Sequence, residues 1–77
     1  MCLAVPGRVV EIDRAAEPLM GSVEFGPVRK RVCLAHVPDI TPGEYVLVHV
    51  GFALQRIDEA EALRVFELLK ELGEATP

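Results

Sequence analysis

The stretch GEYVLVHVGFALQRIDEAEA, residues 43–62, carries the strand period and the helix period side by side. From Tyr45 to Val50 aliphatic and β-branched residues dominate, the strongest strand signal in the chain. Successive side chains of a strand alternate faces, so Val46, Val48 and Val50 point one way and Tyr45, Leu47 and His49 the other. The three valines form the natural core face, which sets His49 on the outer face beside Leu47, or under the C-terminal segment. Gly51 breaks the strand, and Phe52 to Ile57 reads as a short further strand. After Ile57 the period changes. Asp58-Glu59-Ala60-Glu61 is a capping-box pattern: Asp58 accepts from the Glu61 amide, Glu61 reaches back, and Ile57 takes the staple position. Leu63, Phe66, Leu68, Leu69 and Leu72 then recur at helical spacing, and Gly73 fits the residue after a helix end. The pattern predicts a helix over 58–73 and a tail over 74–77.

Upstream, Pro42-Gly43 suits the centre of a type II turn, because proline presets its own φ and glycine accepts a positive one. Earlier strands are expected at Arg8–Ile12, Ser22–Phe25 and Val28–Leu34. They are separated by a polar loop from Asp13 to Pro18 and a turn at Gly26-Pro27. Pro38 to Gly43 is a further loop. An open sheet this small would leave exposed edges, so the strands are expected to close on themselves. The predicted fold is mainly β: a small OB-like barrel of about five short strands over 1–57, followed by a C-terminal helix, in one domain spanning 1–77. A domain of 77 residues buries only about 60% of its unfolded surface, so the core is thin.

The formal net charge is −4, with no tryptophan, one tyrosine and three phenylalanines. That composition weighs against a nucleic-acid partner, which calls for clustered cations and stacking platforms. The single basic run, Arg29-Lys30-Arg31, reads as a solvated strand or turn. Two cysteines do not make a disulfide framework. Met1-Cys2-Leu3 lacks a basic leader, Pro6-Gly7 interrupts the apolar run, and no apolar stretch reaches the roughly 18 residues of a membrane helix. A cytoplasmic chain with reduced thiols and no membrane partner is expected. Paired carboxylates, a glycine-rich phosphate loop and a nucleophile motif are all missing from the sequence, which argues against an enzyme.

The residues able to carry chemistry are Cys2, Cys33, His36 and His49. His49 reads either as a half-exposed strand histidine packed on a neighbour or as a functional group. Cys33-x-x-His36 together with Cys2 and His49 would supply the two-cysteine, two-histidine set that tetrahedral zinc takes. Nothing in the spacing forces the four together. Cys33 alternates with Val32 and Leu34, which points it away from the core as a small cysteine on the polar side. Cys2 is different. Once Met1 is removed it would offer an amine and a thiol on one residue, a nitrogen–sulfur chelate. An adjacent ammonium favours the thiolate, and a thiolate suits iron or another soft centre. A chance cysteine near a chain end is the plain alternative.

The opening MCLAVPG, residues 1–7, and the stretch at 43–62 resemble the two signatures of the HypC/HupF family of nickel–iron hydrogenase maturation chaperones, at matching separation. The resemblance implies an OB-like barrel with a C-terminal helix and a non-enzymatic role. Such proteins work with HypD, an iron–sulfur scaffold protein, to assemble the Fe(CN)2CO unit. They pass that iron to the hydrogenase large-subunit precursor. By the resemblance, Cys2 falls on the essential metal-binding cysteine and His49 on a histidine that assists at the same iron. Cys33 and His36 fall on no functional position of the family, so Cys33 is expected to be dispensable. The competing readings are an OB-type oligonucleotide-binding module and a small zinc-binding module.

Overall fold

The computed structural model describes residues 4–71. Its elements are β1 (Val5–Asp13), β2 (Met20–Phe25), β3 (Val28–Cys33), β4 (Tyr45–His49), β5 (Phe52–Ile57) and α1 (Glu59–Glu71). The strands close into a barrel in the order β1-β2-β3-β5-β4. Neighbours run antiparallel except β3 and β5, which meet in parallel at Cys33 and Phe52. The expected β-barrel with a following helix is the observed architecture.

Strand β1 starts at Val5 rather than Arg8 because its first residues have a partner that a local reading does not see. Val5 to Arg8 pair with Val48 back to Tyr45 of β4. The strand then continues along β2 as far as Asp13, with a register shift between Val9 and Glu11. One long strand thus serves both sides of the closure. β2 likewise begins earlier than expected, at Met20, because its ladder with β3 runs on to Cys33.

The core follows the alternation. Val9, Val23, Phe25, Val32, Val46, Val48 and Ala53 face inward and are buried. Leu34, Val37 and Ile40, from the β3–β4 connection, join them. Leu34 was expected to end the third strand; it lies just past β3 and is fully buried. The same connection is tied by side chains. Arg14 donates to the carbonyls of Pro38 at 3.0 Å and Ile40 at 3.1 Å. The Glu44 carboxylate accepts from the Thr41 amide at 2.8 Å and the Thr41 hydroxyl at 3.0 Å. The Thr41 amide bond, helped by the Thr41 hydroxyl and Arg56, holds the Glu44 carboxyl below its usual range. Gly43 has φ of 98° and the Glu44 amide donates back to the Thr41 carbonyl at 3.1 Å, which is the expected type II turn.

Val50 departs from the expectation. It was placed on the core face with Val46 and Val48, yet it is 72% exposed. The ladder pairs His49 with Phe52, so β4 ends at His49 and Val50-Gly51 becomes a two-residue hairpin loop. The alternation stops being meaningful where the chain turns.

Asp58 caps α1. Its Oδ1 accepts from the Glu61 amide at 2.8 Å, and its carbonyl accepts from the Ala62 amide at 2.9 Å. The return bond from Glu61 to the Asp58 amide is not formed among the described residues. Ile57 and Ala62, the staple pair, are both buried. Asp58→Ala is expected to lower the free energy of unfolding by about 1 kcal/mol. Urea unfolding curves of variant and parent measure this, and coincident curves would remove the cap. The helix buries Ala62 and Leu69 but leaves Leu63 and Leu68 exposed, so the apolar stripe is narrower than its spacing predicts. Leu72, Gly73 and the tail at 74–77 lie outside the described residues. No helix among the described residues is long and apolar enough to cross a membrane.

Candidate functional site

With Val46 and Val48 turned inward, Tyr45, Leu47 and His49 face outward and are half-buried. His49 is the last residue of β4 and stands opposite Phe52, the first of β5. Phe52 is in turn the parallel partner of Cys33, the last residue of β3. Three strand ends therefore meet at one end of the barrel. β1 enters at the same end: Val5 pairs with Val48, one residue before His49. The chain thus joins the barrel beside His49, three residues after Cys2. Cys2 itself lies outside the described residues.

The hairpin loop at this end has positive φ at both positions, 51° at Val50 and 79° at Gly51, as a type I′ turn requires. The Cys33 amide donates to the Gly51 carbonyl at 2.9 Å and locks the loop to β3. The rings of His36 and Phe52 lie 6.3 Å apart between centroids, with planes tilted by 47°, within the range of aromatic contact.

Cys33 corrects a second expectation. It was read as a small cysteine on the polar side, but it is 6% exposed and a free thiol. Its parity does take it away from the cluster that holds Val32 and Leu34. The outer face there is not polar, because Cys33 is flanked by its cross-strand partners Met20 and Phe52. His36 is exposed in the turn that follows β3. The fold brings His49, Cys33 and His36 to one end of the barrel. No three His, Cys, Asp or Glu side chains converge as a metal site among the described residues.

Val50 and Phe52 are the residues at this end that the alternation reading missed. The signal was Gly51 in the second position of a two-residue loop, where Asn-Gly is the usual hairpin mark. Valine in place of asparagine hides it.

A cleft of about 260 Å³ opens between α1 and the far end of β4, lined by Pro6, Gly7, Tyr45, Leu63 and Phe66. At its rim Arg8 and Glu24 pair at 3.1 Å, and Arg29 approaches Glu24 at 3.4 Å. Hydrogen bonds from Arg8 first and Arg29 second hold the Glu24 carboxyl below its usual range. Tyr45 and Arg8 pair at the opposite end of β4 from His49, so this cleft is separate from the end where β1 enters.

The HupF/HypC family matches residues 1–69 of the chain. The hydrogenase maturation factor HypC of Synechocystis sp. is 45% identical over 75 residues, covering 95% of this chain and 99% of the relative. The HypC of Azotobacter chroococcum is also 45% identical, over 76 residues, covering 96% of this chain and 84% of its own. The hydrogenase maturation factor HybG of Escherichia coli is 36% identical over 76 residues, covering 94% and 92%. These relatives are named as maturation factors and not as enzymes. Matches at this identity span nearly all of each chain and include both signature stretches, and so the chain belongs to the HupF/HypC family.

Proposed function

We propose that this chain, a hydrogenase maturation chaperone and not an enzyme, carries the Fe(CN)2CO unit in the cytoplasm from a HypD-like iron–sulfur scaffold to a hydrogenase large-subunit precursor. Cys2 is the iron ligand and His49 assists beside it. The observation that supports this most is the entry of β1 next to His49, three residues after Cys2. An iron centre bearing cyanide and carbon monoxide cannot be left to diffuse freely. One thiolate can hold it and still release it, whereas a closed four-ligand site would hold it too tightly for transfer. The imidazole of His49 can donate a hydrogen bond to a cyanide nitrogen and so steady the cargo.

Anaerobic purification of the tagged chain from cells making the maturation proteins tests this reading. The chain is expected to bring down the scaffold or the precursor, with iron and the infrared bands of bound cyanide and carbon monoxide. A chain that comes down alone and iron-free would overturn it. His49→Ala is expected to stay folded, since the valines of β4 hold the core, and to keep its scaffold partner. Iron delivery should fall about tenfold, the usual scale for losing a group that orients a metal ligand. A variant that unfolds would make His49 structural.

A further inference from the structure

Strand β3 is fully paired on one side only. All six of its residues pair with β2, from Val28 with Phe25 to Cys33 with Met20. On the other side it meets β5 at the single pair Cys33–Phe52, because β5 begins where β3 ends. The Cys33 amide points to that side, where it donates to the Gly51 carbonyl at 2.9 Å. Backbone groups alternate sides along a strand. Those of Arg29 and Arg31 therefore point the same way as Cys33, and no strand pairs with them there among the described residues. The result is an open sheet edge over residues 28–32, a template on which another strand can pair.

Lys30 sits in the middle of that edge, and the barrel does not account for it. Its cross-strand partner is Val23, which is fully buried, so Lys30 stands on the core-facing side of β3 with Val28 and Val32. A valine there would complete the apolar alternation. Lys30 is exposed instead, and no ion pair to it forms among the described residues. Its neighbours are matched: Arg29 approaches Glu24 at 3.4 Å and Arg31 approaches Asp13 at 3.7 Å. Arg56 of β5 has a similar placement, opposite buried Val46, but Asp39 and Glu44 balance it at 3.4 and 3.3 Å.

We propose that Lys30 guards the open edge of β3 against pairing with a second copy of this chain. The copy is the strand at issue because an edge matches its own counterpart in length and register. Two copies meeting about a two-fold axis pair antiparallel, each presenting the same residues to the other. The register that uses the backbone groups of both Arg29 and Arg31 sets each of them opposite the other's counterpart, and Lys30 opposite its own counterpart. Like charges directly opposite each other destabilise a strand pair. A second strand would also crowd the Lys30 ammonium on the core-facing side, where no acid matches it. Arg29 and Arg31 deter pairing less, because Glu24 and Asp13 already balance them. The guard does not rest on the maturation reading.

Lys30→Val removes the charge and restores the alternation. By sedimentation the parent is expected to be a monomer and Lys30→Val to form dimers, with an association constant raised about tenfold or more. General charge repulsion predicts the opposite sign, because losing a cation takes the net charge of −4 further from zero. Lys30→Gln, which loses the charge without adding a β-branched side chain, should shift association the same way, so the outcome does not hang on valine alone. Lys30→Arg, which keeps the charge, should stay a monomer. Adding Arg31→Pro to Lys30→Val takes an amide from the edge and should restore the monomer. Amide hydrogen exchange reads the edge itself: Arg29 and Arg31 should exchange fast in the parent and slowly in the Lys30→Val dimer. Lys30→Val and Lys30→Gln chains that both stay monomeric overturn the guard. A parent that is already a dimer with slow exchange at Arg29 and Arg31 overturns it too. Association that Arg31→Pro does not reverse belongs to another surface and equally overturns it.

Discussion

Cys2→Ser is expected to abolish iron loading and hydrogenase maturation while leaving the thermal midpoint of the barrel unchanged. Serine keeps the size of the side chain but replaces a soft thiolate with a hydroxyl that stays protonated at neutral pH. The fold should not register the change, because among the described residues the ladder from Val5 onward and the buried valines of β1, β2 and β4 hold the barrel. A companion variant separates identity from position. Inserting two alanines between Met1 and Cys2 keeps the thiol but moves its sulfur away from the terminal amine and lengthens the chain ahead of it. If nitrogen and sulfur of one residue act together, the insertion should impair maturation nearly as badly as serine. Full maturation with the insertion would show that a nearby thiol suffices. Full maturation with Cys2→Ser would remove the basis of the functional reading. Iron content, infrared bands and unfolding curves give readouts beyond activity.

Gly21→Ala carries the largest expected effect on stability. Gly21 sits in β2 opposite Ile12 of β1 and is buried. A Cβ there would lie 2.6 Å from the Glu11 carbonyl oxygen and 2.6 Å from Cδ1 of Leu34. Leu34 is fully buried, so its side chain can move only by displacing its neighbours in the core. The Glu11 carbonyl is backbone, so it cannot withdraw without opening the β1–β2 ladder. Overpacking a core costs about 1–3 kcal/mol, and obstruction from backbone and core together places this substitution at the upper end. A loss of about 3 kcal/mol corresponds to a thermal midpoint lower by about 15 °C in a domain this small. It would consume a large share of the 5–15 kcal/mol typical of whole domains. Thermal unfolding followed by circular dichroism checks it. An unchanged midpoint would mean that β1 and β2 are not packed this closely.

Features with a local cause were legible in the residues. β5 begins and ends where Gly51 and the change of period put it, at Phe52 and Ile57. The helix start at Asp58 needs only a carboxylate three residues before the amide it accepts from. The turn at Pro42-Gly43 needs only one residue that fixes φ and one that tolerates a positive value. The family resemblance was equally local, because its two signatures are continuous stretches.

Other features had no local cause. Pro6-Gly7 reads as a break, yet β1 runs through it because β4 pairs with it from some forty residues downstream. The same pairing makes the end of the barrel at His49 the end where the chain enters, a coincidence that the spacing of Cys2 and His49 does not contain. Alternation fixes the face on which Cys33 lies, but burial of that face came from Met20 and Phe52, brought in by strands on either side. Val50 shows the reverse: its place in the alternation promised the core, and the closing of the hairpin left it in solvent. Local preference was thus enough for the number and order of the strands, the Pro42-Gly43 turn, the helix cap and the family, though not for where β1 and β2 begin. The tertiary structure decided which strand ends meet, which outer faces are covered and where a valine is held against its preference. The reason is that dihedral preference and period act within a few residues, whereas burial is a property of a surface and its partner, and only barrel closure supplies the partner.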